Sequence, residues 1–298
     1  MYAILKYNPQ LRPYAAELTQ RVTHFQAVKA ALTPGGSLSQ MANGHFYFGI
    51  HHHPEGWVYR EWAPAAQQLW LTGEFNHWNP TSHPLRRLEG GAWELILPGR
   101  ESLWQGCAVK TLVQYQGAVT EHIPLYARYV TQDAENYLWC ARVWEPEEAF
   151  SWHPFVPKDE PLLIYEAHVG MAQEKPGIGS YREFADNILP WIARGGYNTV
   201  ELMAIMEHPY YASFGYQVSN FFAPSSRFGT PEDLKYLIDC AHQLGLRVLL
   251  DLVHSHAVGN EAEGIHKFDG TVWQFFHSGS RGDHPAWGTK LFDYGKHG

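Results

Sequence analysis

The spacing of apolar residues changes character once along this 298-residue chain, and that change limits the folds open to it. Between residues 45 and 145 the apolar residues come in short alternating runs: GWVYREWA, QLWLTGEF, AWELILP, AVKTLVQY and YLWCARVW. Gly, Asn and Pro turns separate them, which predicts an antiparallel β-sandwich. After residue 161 the runs become almost continuous, LLIYEAHV, TVELMAI and RVLLDLV, as expected of strands buried on both faces. Helical patterns alternate with these runs, so the second half predicts βαβ units on a parallel sheet. The stretch between the halves, EPEEAFSWHPFVPKDEP, is acidic, Pro-rich and aperiodic, and reads as a linker. The division expected is a helical arm over 1–42, a sandwich over 43–145, a linker over 146–160 and the strand–helix part over 161–298.

Local signals place the helices. In the arm, Val22, Phe25, Val28 and Leu32 recur at helical spacing, and TPGGS stops the pattern. Ser180 and Glu183 form an S-x-x-E capping box ahead of a stripe of Phe184, Ile188, Trp191 and Ile192. Pro190 lies inside that helix and predicts a kink costing about 3 kcal/mol. Gly195-Gly196 ends it. Thr230-Pro231 opens the next helix, with Leu234, Leu237, Ile238, Ala241 and Leu244 on one face and Gly245 as its stop.

Function is expected in the long loops after the second and third parallel strands, where barrel enzymes build their sites. Residues 206–229 carry Tyr210, Tyr211, Phe214, Tyr216, Phe221, Phe222 and Phe228. Rings flanked by polar groups suit sugars, whose C–H faces pack on them; the same rings serve equally as loop core. In DLVHSH, Asp251 closes a buried strand, where a carboxylate needs a partner, and His254 and His256 follow it. That motif is open to a sugar site, to an H-x-H metal pair or to a structural Asp with solvent-facing histidines. HHH at 51–53 reads as ordinary turn residues rather than a metal site.

A formal net charge of −8 argues against phosphate backbones and anionic membranes as partners. Cys107, Cys140 and Cys240 are too few and too widely spaced for a disulfide framework, which suggests reduced thiols and a cytoplasmic setting. No charged-then-apolar leader pattern opens the chain, and no apolar run reaches the ~18 residues of a membrane span.

Several collinear segments carry a family resemblance: YREWAPAAQQLWLTGEFNHWNP, LLIYEAHVGMA, GYNTVELMAIMEHPYYASFGYQVSNFFAPSSRFGTPEDL, LGLRVLLDLVHSHA, GIHKFDGT and FFHSGSRGDHPAWGTKLFDYG. They resemble the α-glucan branching enzymes of the α-amylase-like glycoside hydrolase superfamily. The resemblance implies an N-terminal helical segment, an immunoglobulin-like, family-48-type carbohydrate-binding sandwich and the first part of a (β/α)8 TIM barrel. It implies a hexosyltransferase that moves an α-1,4-glucan segment onto a glucan 6-hydroxyl. The partner would be glycogen, amylose or amylopectin, with no cofactor. By the match, His256 contacts the donor glucose, Asp251 orders the site floor and Tyr216 stacks on the same sugar. Ser255 stands where α-amylases carry a calcium-binding Asn, so no calcium is expected. Trp78, Asn79 and Pro80 resemble the glucan-contacting turn of the sandwich, and Trp78 is open to a binding or a structural role.

Such chemistry needs a nucleophilic carboxylate and an acid/base carboxyl about 5–5.5 Å apart. In the family they come from the fourth and fifth barrel strands, and Glu166, Glu201 and Glu207 match neither position. The expectation is therefore a family member with no catalytic carboxylates of its own, an open three-stranded sheet, and activity only with a missing C-terminal half as partner. The competing expectations are a non-catalytic glucan-binding protein or split-enzyme subunit and, on His254 and His256, a metal-dependent barrel hydrolase.

Overall fold

The computed structural model describes residues 2–296. The chain divides into two compact units, residues 1–47 and 48–298. In the first, the helix Ala15–Leu32 follows a 3-10 turn over Pro9–Tyr14 and buries none of its residues. Phe25, Val28 and Leu32, which the sequence places at helical spacing, are all exposed.

The second unit begins with two antiparallel sheets. One has the order β1 (Gly49–His53), β2 (Gly56–Trp62), β5 (Ala92–Pro98), β4 (Arg86–Arg87). The other runs β3 (Gln68–Gly73), β6 (Ala108–Tyr115), β9 (Trp139–Arg142), β8 (Val130–Gln132), with β7 (Ala118–His122) also on β6. Every second residue points inward, so Tyr59, Leu69, Leu71, Trp93, Val109 and Val113 meet in a shared core. The β5 and β6 segments fall where the alternation puts them. His51–His53 do not: they form β1 itself, paired with Gly56–Val58, because the turn lies one step later at Pro54-Glu55.

Three parallel strands follow in the order β10 (Ile164–Ala167), β11 (Thr199–Leu202), β14 (Arg247–Leu250). Helical segments over 181–194 and Pro231–Gln243 connect them. Both capping boxes form: Ser180 with Glu183, and Thr230 with Asp233. Gly245 takes φ +77°, the left-handed geometry that ends a helix without a Cβ penalty.

Three expectations need correction. Only β11 is buried as a two-sided strand should be; Ile164, Tyr165, Leu249 and Leu250 are exposed. Two of three strands in such a sheet are edges, which is the open sheet anticipated above. The first connecting helix is not a straight cylinder: Phe184–Ile188 form a π turn in which Leu189 N–H donates to the Phe184 carbonyl. Pro190, without an N–H, follows directly, so the break that it imposes on the helical period takes the form of this wider turn. The inserted residue rotates the helix face, and Trp191 emerges 69% exposed beneath the Arg194 guanidinium, while Leu189 is fully buried. Leu244 is likewise exposed, beyond the last turn of its helix.

The segment 146–160 has no regular structure but is anchored: His153 N–H donates to Asp239 Oδ1 at 2.8 Å, and the His153 ring meets Oδ2 at 2.7 Å. Beyond β14 the chain returns to the sandwich, where Ala257, Ile265, Phe268 and Phe276 enter its core. Gln274 donates to the Trp62 carbonyl at 2.7 Å, and Asp269 accepts from Ala65 N–H at 3.1 Å. At Gly270 a Cβ would lie 2.2 Å from the Tyr115 ring, so only glycine permits this approach.

Candidate sugar-binding site

The aromatic loop over 206–229 is shaped by a buried carboxylate. Glu207 lies in β12 (Met206–Glu207), which pairs with β13 (Asn220–Pro224). It accepts from Ser226 N–H and Oγ–H at 2.7 Å each, from His208 N–H at 3.0 Å and from Ser225 Oγ–H at 3.1 Å. Arg227 approaches at 3.4 Å and also donates to the Pro209 carbonyl. Burial pushes the Glu207 pKa up, while these donors hold it down. The clamp draws both ends of the loop together and sorts its rings. Phe228 is buried edge-on against Tyr181 and His168, whereas Tyr210 and Phe222 stay exposed. Nothing in the periodicity marks Glu207 as a clamp; its one signal is an acid inside the apolar run AIMEHP.

Tyr216 leaves this loop toward the carboxyl end of β14. Its hydroxyl donates to Asp251 Oδ2 at 2.6 Å, which gives Asp251 the partner its position requires. Burial, then the Asp251 hydrogen bond, pushes the Tyr216 pKa up to about 12, so the phenol stays protonated and keeps donating. The approach is set by Gly215 at φ +90°, where a Cβ would lie 1.9 Å from the Ala204 carbonyl oxygen.

His254 and His256, adjacent in the motif, part company. His254 is exposed, with Nδ1 3.2 Å from the Leu252 carbonyl. His256 is 5% exposed in β15 (His256–Ala257), which pairs with β16 (Lys290–Leu291). Burial, then the nearby His284, holds its pKa down, so the imidazole is neutral near pH 7. Its Nδ1 has no hydrogen-bond partner among the described residues. Val258 N–H donates to the Val218 carbonyl at 3.0 Å, tying this strand to the Tyr216 loop. No three His, Cys, Asp or Glu side chains converge in a metal-ligating group among the described residues. Glu166 and Glu201 are cross-strand neighbours on β10 and β11.

On the sandwich, His77 and Trp78 both take left-handed φ, +54° and +58°. Asn76 holds them there: its Oδ1 accepts from Gly73 N–H at 3.0 Å, and its Nδ2 donates to the Asn79 carbonyl at 3.0 Å and to Ser82 at 2.9 Å. Asn79 Oδ1 in turn accepts from Thr81 N–H at 3.1 Å, and Pro80 is exposed beside it. The turn presents Trp78, 43% exposed, to an open groove lined by Lys110, Glu121, Asp133, Asn136 and Arg142. An exposed indole on a fixed turn, ringed by donors and acceptors, suits a pyranose face.

Comparison with known proteins matches the description of these two regions. Residues 47–127 match carbohydrate-binding module 48 (isoamylase N-terminal domain), and residues 178–291 match the alpha amylase catalytic domain. The chain is 42% identical over 299 residues to the 1,4-alpha-glucan-branching enzyme of Felis catus, covering 98% of this chain and 43% of that protein. It is 44% identical to that of Yarrowia lipolytica, with 99% and 44% covered. To the chloroplastic/amyloplastic enzyme of Oryza sativa subsp. japonica it is also 44% identical, with 98% and 37% covered. The chain thus spans less than half the length of these relatives. Among solved structures, a putative alpha amylase from Salmonella typhimurium gives a TM-score of 0.64 at 22% identity, covering 82% of this chain and 38% of that one. Pullulanase type I from Bacillus subtilis, complexed with maltose, gives 0.64 at 21%, with the same coverage, 82% and 38%. At these identities the likeness speaks for the fold: a sandwich followed by the start of an amylase-type barrel.

Proposed function

We propose that this chain, a homologue of the 1,4-alpha-glucan-branching enzymes along almost its whole length, supplies the glucan-binding sandwich and the donor-sugar wall of such a transferase. The observation that carries this reading is the Tyr216–Asp251 hydrogen bond of 2.6 Å at the carboxyl end of the parallel sheet. It holds an aromatic ring and a carboxylate together where barrel enzymes bind substrate.

In this reading Tyr216 packs on the C–H face of the donor glucose and Asp251 fixes the angle of the ring. Neutral His256 donates from Nε2 to a sugar hydroxyl, because an uncharged imidazole binds a neutral sugar without paying for a buried charge. Trp78, Asn79 and Pro80 hold a more distant part of the same α-1,4-glucan on the sandwich. Branching itself proceeds in two steps. A carboxylate displaces the leaving glucan at the anomeric carbon while a carboxylic acid protonates its oxygen; the same group then deprotonates the incoming 6-hydroxyl, which displaces the carboxylate. No residue of this chain is assigned to either role; both are expected on the later barrel strands, in the part of the relatives' length that these 298 residues do not span. The partners are neutral glucans, not nucleic acid or membranes, and the setting is cytoplasmic; among the described residues no helix is long and apolar enough to cross a membrane.

The test is incubation of the purified chain with amylose, following iodine colour and α-1,6-linkage content. The account expects the glucan to be bound without new branches. Branch formation by these 298 residues alone would overturn the assignment of the catalytic carboxylates to the later barrel strands.

A further inference from the structure

One indole beside the proposed donor-sugar wall is held rigid without being buried. Trp287 is 58% exposed, yet its ring lies parallel to that of His284, at 4.1 Å between centroids and 1° between planes. His284 is fixed in turn: its Nδ1 accepts from the backbone N–H groups of Ala286 and Trp287, at 3.2 Å each, which leaves the ring proton on Nε2. A tight turn closed by His284 N–H to the Thr289 carbonyl at 2.8 Å completes the mount. Two contacts aim it at the site. The Trp287 ring is 5.2 Å from that of His256, and the Trp287 carbonyl accepts from Gln217 Nε2 at 3.3 Å, next to Tyr216. A tryptophan so constrained has lost side-chain freedom without the burial that ordinarily offsets it.

We propose that Trp287 is a sugar platform, packing on the C–H face of the glucose unit adjacent to the one that His256 contacts, with His284 as its positioning residue. The ligand class is an α-1,4-linked gluco-oligosaccharide. A ring 5.2 Å from His256 meets the neighbouring unit, and the polar surroundings contributed by His256 and Gln217 suit hydroxyls rather than an apolar ligand. The proposal rests on the reading of Tyr216, Asp251 and His256 as the donor-sugar wall.

The test is calorimetric titration of maltoheptaose into the full chain carrying Trp78→Ala, which silences the sandwich turn. Adding Trp287→Ala should weaken the remaining binding about tenfold, Trp287→Phe much less because a ring is retained, and Trp273→Ala, an exposed tryptophan outside the cluster, not at all. In the unsubstituted chain, maltoheptaose should shield Trp287 from N-bromosuccinimide oxidation, read by peptide mass spectrometry, and this readout does not depend on a variant folding. Affinity within twofold after Trp287→Ala, or no shielding, overturns the platform. If Tyr216→Ala still abolishes binding, only the platform falls. If the Trp78→Ala chain binds no maltoheptaose, the donor-wall reading falls with it.

Discussion

Asp251, half-buried just past the end of β14, takes its partner from the neighbouring loop. Its bond to Tyr216 is short, and Tyr216→Phe would remove the donor while leaving the charge in place. That substitution should cost about 1–3 kcal/mol of stability by urea unfolding, more than loss of a hydroxyl at an exposed site. Glu207 is the more severe case, with its side chain fully buried and Arg227 as its ion partner. Glu207→Ala strands Arg227 and four hydrogen-bond donors, and should cost about 3–5 kcal/mol. Glu61 behaves differently with pH. Burial pushes its pKa from 4.5 to about 7 despite the N–H groups of Trp62 and Leu125 and the Tyr59 hydroxyl. Below pH 4.5 both states hold the proton. Between 4.5 and 7 the unfolded chain releases it while the folded chain keeps it, so this group lowers stability as pH rises, by at most about 1.4 kcal/mol per unit. His122 and His208, each held down to about 4 by burial, act in the opposite sense, losing stability as pH falls from 6.5 toward 4. Comparison of Glu61→Gln with the parent therefore isolates the carboxylate. The stability difference should shift in favour of the Gln variant between pH 4.5 and 7, and a difference constant over that range would contradict the assignment.

At the scale of elements, the sequence is legible where local chemistry decides. The β5 and β6 runs, the Ser180 and Thr230 capping boxes and the Gly245 stop all follow from residues within a few positions of the feature they produce. It is not legible where the partner is remote. The π turn before Pro190 shifts Trp191 out of the stripe that a uniform 3.6-residue period assigns to it, and no local signal distinguishes a wider turn from a kink. The exposure of β10 and β14 depends on what covers the other face of the sheet. The turn at Gly215 also depends on a remote contact, its approach to Ala204. Gly215→Ala should cost about 1–3 kcal/mol and loosen the Tyr216–Asp251 pair, seen as weaker maltoheptaose binding alongside a lower unfolding midpoint.

In the second unit as a whole, the sandwich and the strand–helix part share more than a linker. Phe268 and Phe276, distant in sequence from the β-strands they pack on, are fully buried in the sandwich core. The site is read in the same way. Motif residues Tyr216 and Asp251 could be picked out from sequence, but their direct bond, the separate fates of His254 and His256, and the mounting of Trp287 arise only when the loops after β11 and β14 meet. The central claim is that this unit holds α-1,4-glucan through the sandwich turn and the donor-sugar wall. Affinity electrophoresis of the full chain in glycogen-containing gels tests it most directly. The account predicts clear retardation, reduced by Trp78→Ala and reduced further when Tyr216→Ala is added. Unretarded migration of the parent chain, or retardation that neither substitution changes, would contradict it.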